Sequence, residues 1–223
     1  MRIIGEIPAR LGSERVKQKN TRLLCGKPLI AYAIEAAKYA KTLTESYVNS
    51  ESDVIGKIAL DYGIKFYKRD PQLANNTATS DQFNYDFIKG TKADVLVLIN
   101  PVAPLVESKD IDEVVNYFLV NNFDTVITTR EEHLQAFCQN KPINFNPDGQ
   151  LPRTQDIAPI QLCAWSVCVW RAATFLESYD KKGYAVFSGN VGFYPLSPFK
   201  TVKISTEDDF ALAQAILQYV KAK

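Results

Sequence analysis

The stretch RIIGEIPARLGSERVKQKN, residues 2–20, decides the fold of this chain. It opens with an apolar run, Arg2 to Ile7, which has the length and composition of a buried strand. A polar loop follows, and apolar residues then recur at helical spacing from Pro28 to Tyr39. A strand, a loop and a helix in this order form the first half of a βαβ unit. The opening residues therefore predict an α/β protein with a parallel sheet.

The same alternation continues as far as residue 129. Short apolar runs predict further strands, and helical spacing of apolar residues predicts helices between them. The expected strands are Ser46 to Asn49, Ile64 to Tyr67, Asp94 to Ile99 and Thr125 to Thr129. The expected helices cover 54–62, Ser80 to Ile88 and a segment capped by Ser108. This order predicts a mostly parallel sheet with helices on both faces. Ligands of such folds bind beyond the carboxyl ends of the strands. The loops expected to gather there are 8–20, 49–53, 69–80 and 100–106.

Residues 130–165 interrupt this rhythm. They are rich in Pro, Asn and Gln, and they predict an arm or lid inserted into a single domain that spans 1–223. The elements expected after it are a strand from Leu162 to Trp170, a helix from Ala172 to Ser178, and a strand followed by a helix between Val202 and Val220. Thr206 and Asp209 have the spacing of a capping box at the start of that final helix.

Length, charge and cysteine usage exclude several classes of protein. Of the 223 residues 46% are hydrophobic, which suits a sizeable core, and a net charge of +1 predicts no nucleic-acid partner. The first apolar run is too short for a signal peptide and no stretch could span a membrane, so we expect a cytoplasmic location. The four cysteines lack CxxC spacing and the one histidine, His133, lies in a polar stretch. These features argue against a zinc site and a histidine-dependent hydrolase.

The loop from Pro8 to Asn20 is the strongest functional candidate. It carries one glycine, one serine and four cations at the carboxyl end of the first strand. A triphosphate needs positive charge and N–H donors, and a loop between a strand and a helix offers both. The loop matches neither a Walker loop nor a GxGxxG dinucleotide loop. A solvated basic loop is the alternative, but the position at a strand end favours phosphate binding.

A long motif runs through this loop, Ile7-Pro8-Ala9-Arg10-x-Gly12-Ser13-x-Arg15-x-x-x-Lys19-Asn20, and continues as Gly26-Lys27-Pro28-Leu29-Ile30. It resembles the cytidylyltransferases that make CMP-activated acidic sugars, namely the CMP-N-acetylneuraminate synthetases and their pseudaminic and legionaminic acid relatives. Later segments that resemble the same family are Arg69-x-x-x-Leu73-Ala74-x-x-Thr77-Ala78, Asn100-Pro101-Val102-Ala103-Pro104-Leu105 and Arg153-Thr154-Gln155-Asp156.

The resemblance implies a Rossmann-like nucleotidyltransferase fold of the GT-A-like type, a three-layer sandwich with a small dimerisation insertion. It also implies a homodimer that uses CTP and magnesium, transfers CMP to a sugar acceptor and releases pyrophosphate. Arg10 and Lys19 would hold the triphosphate as catalytic cations. The positions implied to contact the nucleotide are Ala9, Arg10, Leu11, Gly12, Ser13, Lys19, Asn20, Arg69, Thr77, Ala78 and Ser80. Those expected to contact the acceptor are Asn100, Arg153, Gln155 and Trp165.

The segment 202–210 departs from this pattern. The sialate synthetases carry Asp-x-Asp there as metal ligands, whereas this chain has Lys203 and Ser205. The segment instead resembles that of the methylerythritol-phosphate and ribitol-phosphate cytidylyltransferases, whose lysine lies near the reacting phosphates. Lys203 is therefore a further catalytic candidate. No protein ligands for magnesium are defined, and the ion would arrive bound to CTP.

Two alternative functions follow from this departure. In the first, the acceptor is a phosphorylated polyol or sugar, and the product is a CDP compound. In the second, the chain is a paralogue that binds nucleotide with weak or no catalysis. The retained set of Arg10, Ser13, Lys19 and Asn20 favours an enzyme.

Two tryptophans fall in the strand predicted after the insertion. Strict alternation places Trp165 on one face with Val167 and Val169, and Trp170 on the other. Core packing is the expected role of a tryptophan in a buried strand, with acceptor binding as the alternative. The segment from Phe187 to Tyr194 is expected to form a loop against the acceptor.

Overall fold

A seven-stranded sheet forms the centre of the computed structural model, which describes residues 1–12 and 16–221. In chain order the strands are β1 (Ile3–Pro8), β2 (Leu23–Leu24), β3 (Lys27–Pro28), β4 (Glu45–Ser50), β5 (Lys65–Lys68), β6 (Val95–Ile99), β7 (Thr125–Glu132), β8 (Phe137–Cys138), β9 (Lys141–Pro142), β10 (Ile160–Arg171) and β11 (Val191–Pro195). The order across the sheet is β11-β7-β10-β6-β1-β4-β5. The short strands β2 with β3, and β8 with β9, form separate pairs.

Neighbouring strands of the large sheet run parallel, except that β10 is antiparallel to both β6 and β7. The predicted mostly parallel sheet is confirmed. β1 lies between β4 and β6, and its last residue, Pro8, pairs with Asn49 of β4. Because parallel strands end at one edge, the loop after Pro8 leaves the sheet beside the ends of both neighbours.

Helices cover both faces of the sheet, as predicted, and complete a three-layer sandwich. They are α1 (Leu29–Tyr39), α2 (Asp53–Asp61), α3 (Ser80–Thr91), α4 (Ser108–Val120), α5 (Ala172–Lys182) and α6 (Glu207–Lys221). One face packs against α1, α2 and α4 through a buried cluster that includes Ile34, Ile55 and Phe118. The other face packs against α3 and α5, which contribute Phe87 and Phe175.

The last helix, α6, packs against the residues that follow the first loop. Its Phe210 and Leu217 share a buried cluster with Val16 and Leu24. Burial of one such side chain stabilises a fold by about 1.5–3 kcal/mol. Arg22 lies over the Phe210 ring, with its guanidinium carbon 4.1 Å from the ring centre. The end of the first loop therefore packs against α6.

Two element predictions are wrong. Residues 202–206 form no strand but an irregular segment after a 3-10 turn at Pro198–Thr201. The alternation of exposed Lys203 with buried Ile204 imitates a strand, whereas the Ile204 N–H donates to the carbonyl of Val102 in a loop, at 2.9 Å. The loop expected from 187 to 194 becomes strand β11 at Val191, where it pairs with β7 and forms a sheet edge.

The helix starts also differ in detail from the predictions. Ser108 is the first residue of α4 rather than its cap, and Glu107 forms a capping box with Asp110. The box predicted at the start of α6 is confirmed, because the Asp209 carboxylate accepts from the Thr206 N–H at 2.8 Å and the Thr206 hydroxyl accepts from the Asp209 N–H at 3.2 Å.

The insertion emerges between β7 and β10, which continue as a two-stranded ribbon to the pair Glu132 and Ile160. Residues 133–159 lie beyond it and contain the β8–β9 pair and a 3-10 turn at Thr154–Asp156. The inserted segment, 133–159, is narrower than the predicted 130–165, because both ends of the predicted range belong to strands β7 and β10. Among the residues that the structure describes, the helices are too short or too polar to cross a membrane.

Candidate active site

A cleft of about 400 Å³ opens at the carboxyl ends of the central strands. Its walls come from the ends of β1, β5 and β6, the start of α3, strand β10 and the segment before α6. The residues of the sequence predictions that line it are Ala9, Arg10, Arg69, Ser80, Asn100, Trp165 and Lys203. The expected gathering of loops at this edge is confirmed for 69–80, 100–106 and the described part of 8–20. The loop at 49–53 supports the floor through the carbonyl of Asn49, which accepts from the Ala9 N–H at 3.0 Å.

Arg10 enters the cleft directly after β1. Its Nη1 donates to the side-chain oxygen of Asn76 at 2.6 Å and more weakly to the carbonyl of Asn75 at 3.4 Å. The next residue is also held, since the Leu11 N–H donates to Glu51 at 2.8 Å. The turn after β1 is thus tied to two neighbouring loops, which fixes Arg10 at the edge of the cleft.

Asn20 and Lys19 lie outside the cleft lining and fix the far end of the loop. Asn20 is buried, and its Nδ2 donates to the carbonyl of Arg10 at 3.0 Å. Its Oδ1 is buried without a partner in the described structure, so it can accept from a ligand or a loop group. The Lys19 ammonium donates to the carbonyl of Ile204. Both residues shape the loop around Arg10.

Arg69 is a buried cation in the cleft wall, only 4% exposed. Its Nε donates to Oδ1 of Asn49 at 2.9 Å and its Nη2 to the Asn49 carbonyl at 2.6 Å. The guanidinium lies over the Phe83 ring, 4.6 Å from its centre. Burial lowers the pKa of Arg69, partly offset by Glu6 and Glu51, but arginine stays protonated at any ordinary pH.

Asn100 and Trp165 form the opposite wall. The Asn100 side-chain nitrogen donates to the carbonyl of Trp165 at 3.1 Å, and its oxygen accepts from the Val102 N–H at 3.3 Å. The Trp165 ring meets the half-exposed Phe187 edge-on, with ring centres 5.7 Å apart. This wall therefore combines a fixed amide with an aromatic surface.

The backbone at Trp165 has a φ of +59°, a conformation that favours glycine and is rare for a bulky residue. The register of β10 on β7 shifts between Cys163 and Cys168. Trp165 consequently packs with Trp170 on the α3 face, while Val167 belongs to the opposite cluster. The predicted alternation is wrong here, because a bulge reverses which face a side chain takes.

Lys203 reaches the cleft from the irregular segment before α6. Hydrogen bonds of its neighbours hold that segment: the Ile204 N–H donates to Val102, and the Ser205 N–H donates to Asp209 at 2.8 Å. The backbone of Ser205 is therefore committed to the helix start. Three cations, Arg10, Arg69 and Lys203, come from separate loops to one cleft.

A protein-bound metal does not fit the described residues. No group of three or more His, Cys, Asp or Glu side chains within 1–12 and 16–221 could hold a metal ion. Glu51, near the loop, accepts from the Leu11 N–H instead. Cys168 also lines the cleft, and burial raises the pKa of its thiol, so it stays protonated and is a poor nucleophile.

Several predicted contacts lie away from the cleft lining. Leu11 and Gly12 are exposed on the loop, and Ser13 falls outside the described residues. Thr77 and Ala78 precede α3, where the Asn75 side chain accepts from both of their N–H groups at 2.8 Å. Arg153 directly precedes the 3-10 turn of the insertion, and Gln155 lies in it. The roles assigned to these residues stay predictions.

Some lining residues escaped the sequence analysis. Phe83 follows Ser80 by three positions on α3, and that spacing could have identified it. Leu98 and Val186 carry no sequence signal for a cleft. Asn49 and Glu6 lie behind the cleft, and the sequence patterns place both only within predicted strands.

The strand order, the loop edge and the cluster of cations define an α/β protein with a cleft at the carboxyl ends of its strands to which three cations contribute. The sequence model of the cytidylyltransferase family matches residues 4–151. This chain belongs to the cytidylyltransferase family, and the resemblance found in its motifs is confirmed.

Individual relatives agree with this assignment. The CMP-N,N'-diacetyllegionaminic acid synthase of Legionella pneumophila is 33% identical over 233 residues, which cover 98% of this chain and 97% of the relative. The N-acylneuraminate cytidylyltransferase A of Danio rerio is 26% identical over 223 residues, 96% of this chain but 50% of the relative. The chain thus spans about half the length of that relative.

A solved structure shows the same fold. It is that of a CMP:2-keto-3-deoxy-manno-octonic acid synthetase complexed with CTP, with a TM-score of 0.76 and 13% identity over 98% of this chain and 99% of the other. The Rossmann-like nucleotidyltransferase fold expected from the motif is confirmed.

Proposed function

We propose that this chain transfers CMP from CTP to an acidic sugar of the sialic or nonulosonic type and releases pyrophosphate. The observation that carries the proposal is the convergence of Arg10, Arg69 and Lys203, from three separate loops, on one cleft. The legionaminic acid relative, which aligns over nearly its whole length, supports the choice of acceptor. The cations would offset the charge of the triphosphate, and the acceptor would approach from the side of Asn100 and Trp165.

The reaction needs a hydroxyl oxygen of the acceptor to attack the α-phosphorus in line with the departing pyrophosphate. One P–O bond forms, the bond to the β-phosphate breaks, and the acceptor proton passes to a base or to water. Negative charge grows on the α-phosphate oxygens and the leaving group, and fixed cations stabilise it. Arg10 and Lys203 suit this role because both line the cleft and neither is fully buried. Lys19 would act through the loop that it holds.

Magnesium would enter with the triphosphate. Its preferred ligands are oxygens, and phosphates with water supply most of them in many nucleotide enzymes. The described residues offer no metal-binding cluster, so the protein would contribute positive charge through Arg10, Arg69 and Lys203.

A coupled assay of pyrophosphate release tests the proposal. Purified protein is given CTP with magnesium and a panel of acceptors: sialic-type acids, phosphorylated polyols and neutral sugars. We expect turnover with a sialic-type acid and a product of the mass of its CMP conjugate. Pyrophosphate release with none of the acids would contradict the proposal.

Lys203 favours a second candidate, a phosphorylated acceptor, because an ammonium can bind an acceptor phosphate as well as the triphosphate. Turnover confined to phosphorylated polyols, with a CDP product, would establish it. Lys203→Ala should lower kcat about 10²–10³-fold if the ammonium stabilises the transition state. Lys57→Ala, which removes a surface lysine on α2, is the matched control and should leave kcat unchanged.

We also propose that the insertion pairs two copies of the chain, as the resemblance implies. Phe137, Ile143 and Leu151 are more than half exposed on it, and such apolar side chains are typical of contact surfaces. All four cysteines are free thiols, which suits the reducing cytoplasm as the location of the reaction.

A further inference from the structure

Three buried polar side chains connect the middle of the sheet to the cleft. Glu6 of β1 is 0% exposed, Asn49 of β4 is 0% exposed and Arg69, after β5, is 4% exposed. The Asn49 Nδ2 donates to Oε1 of Glu6, and the Arg69 Nε donates to Oδ1 of Asn49 at 2.9 Å. Of the three, Arg69 lines the cleft. A carboxyl group at the centre of a strand is costly to bury, so its retention needs a reason.

We propose that Glu6 is a positioning residue, which holds the amide of Asn49 in the one orientation that fixes the Arg69 guanidinium in the cleft wall. The proposal rests on the proposed function, in which the cleft binds CTP.

The chemistry of an amide explains why Asn49 needs Glu6. A side-chain amide has an acceptor end and a donor end. The Arg69 Nε–H requires the acceptor, so the donor end points away, towards β1. With an apolar residue at position 6, that donor would be buried without a partner, which costs free energy, and no rotation of the amide would satisfy it. The Asn49 side chain would then shift towards a new partner, so the Arg69 Nε–H would lose its fixed acceptor and the guanidinium would keep only the bond from Nη2 to the Asn49 carbonyl.

The charge state of Glu6 determines how much of the Arg69 charge is available in the cleft. Burial raises the pKa of Glu6 to about 8, although the hydrogen bond from Asn49 and the charge of Arg69 both act to lower it. At neutral pH the carboxyl group is therefore mostly protonated, and the charge of Arg69 remains available to an anionic ligand. Above pH 8 the carboxylate offsets part of that charge, so the affinity for a triphosphate should fall.

Other charged groups also act on the hydrogen-bonded chain from Glu6 through Asn49 to Arg69. Asp86 of α3 raises the pKa of Glu6, and its carboxylate accepts from the Tyr67 hydroxyl of β5 at 2.9 Å. Glu51 and Arg10 act on Arg69 rather than on Glu6. A comparison of variants at position 6 separates the titration of Glu6 from all of these, since they remain in every protein.

The first test measures the Kd for CTP by calorimetry at pH 7 and pH 9, with magnesium, for the wild type, Glu6→Gln and Glu6→Leu. Glutamine keeps an acceptor for Asn49 but cannot ionise. We expect Glu6→Gln to bind like the wild type at pH 7 and to be less sensitive to the rise to pH 9. Glu6→Leu should weaken binding about tenfold at pH 7. Thr125→Val, which removes a different buried hydrogen bond of the sheet, is the control and should bind normally.

Wild-type affinity in Glu6→Leu, or the same pH dependence in the wild type and Glu6→Gln, would overturn the proposal. A second test needs no ligand. The carboxyl carbon of Glu6 is followed by NMR in protein labelled at glutamate, and the signal is assigned by its loss in Glu6→Gln. Its titration midpoint should lie near 8 and should rise in Arg69→Met, because Arg69 lowers it.

An unchanged midpoint in Arg69→Met would show that Glu6 and Arg69 are not coupled and would overturn the proposal. If the wild type binds no CTP, the proposed function is wrong. The NMR result alone then decides whether Glu6 and Arg69 are coupled. The two failures are therefore distinguishable.

Discussion

The ammonium group of Lys19 donates to the backbone carbonyl of Ile204 at 2.9 Å, across 185 positions of the chain. Lys203 directly precedes that carbonyl and lines the cleft. One charge-assisted hydrogen bond thus connects the end of the first loop to the segment that carries a candidate catalytic lysine. The two segments are held together before any ligand arrives, which reduces the ordering cost of binding.

Lys19→Met should destabilise both the fold and the bound state. The substitution removes a hydrogen bond to a charged group, worth about 1.5–3 kcal/mol of unfolding free energy. The Kd for CTP should increase as well, because the loop and the Lys203 segment lose a connection. Urea denaturation and calorimetry provide the two measurements. Lys17→Met, on the exposed side of the same loop, is the control. Equal stability of the Lys19 and Lys17 variants would contradict the role of this bond.

Trp165→Gly should separate stability from acceptor binding. Glycine adopts a positive φ without the cost of about 1–2 kcal/mol that other residues bear, and this gain offsets part of the packing lost against Phe187 and Trp170. We expect a somewhat lower free energy of unfolding, an unchanged Kd for CTP and a higher KM for the acceptor. Steady-state kinetics and urea denaturation measure these quantities.

Lys92→Gly is the matched control for this substitution. Lys92 has a φ of +54° at the end of α3 and is exposed. Its replacement should stabilise the protein by a similar backbone gain and leave the kinetics unaltered. A KM for the acceptor that stays normal in Trp165→Gly would mean that the ring does not contact the acceptor.

The stability of Glu6→Gln relative to the wild type should depend on pH. The pKa of Glu6 is about 8 in the folded protein, raised from the ordinary glutamate value of 4.5. A raised pKa means that folding favours the protonated form, so the wild type loses stability as pH rises from 4.5 to 8. The variant avoids this loss, and its advantage should grow across that window to at most roughly 5 kcal/mol. Denaturation curves at pH 5, 7 and 9 measure it. If the free energies of unfolding of the two proteins changed equally with pH, Glu6 would ionise as freely in the folded state as in the unfolded one.

The double substitution Phe137→Ser with Ile143→Ser should shift a dimer towards monomers if the insertion is the contact surface. Both side chains are more than half exposed. Light scattering after size exclusion measures the mass. Leu60→Ser, at an equally exposed apolar residue on α2, should leave the mass unchanged. A dimer that survives the double substitution places the contact elsewhere.

The fold could be predicted from the sequence because its decisive signals are local. The continuous apolar run of β6 and the helical spacing in α4 each report on their own segment. The prediction failed at residues 202–206, where the alternation of Lys203 and Ile204 is the same in a strand and in a segment that packs on a loop. Periodicity describes which side chains are buried, and it cannot say what the backbone bonds to.

The site was predicted in part for a similar reason. Arg10, Arg69 and Lys203 were found because they lie in recognisable segments. Glu6 was missed because its hydrogen-bond partner lies on β4, and the arginine bound to that partner follows β5, which no local pattern relates to position 6. The orientation of Trp165 depends on an irregularity where residues 164–167 of β10 lie opposite residue 128 of β7, and such extra residues leave no signal in the composition of a strand.

The packing of α6 beneath the first loop has a consequence for synthesis and folding. Val16 and Leu24 are made early on the ribosome, but their buried partners Phe210 and Leu217 follow almost two hundred residues later. The first loop cannot pack against α6 while the chain is still growing. The apolar side chains of Val16 and Leu24 therefore stay exposed in any α/β layers that form earlier. Nascent chains of this protein should therefore need protection from aggregation until α6 has left the ribosome, and nucleotide binding should be one of the last properties to appear.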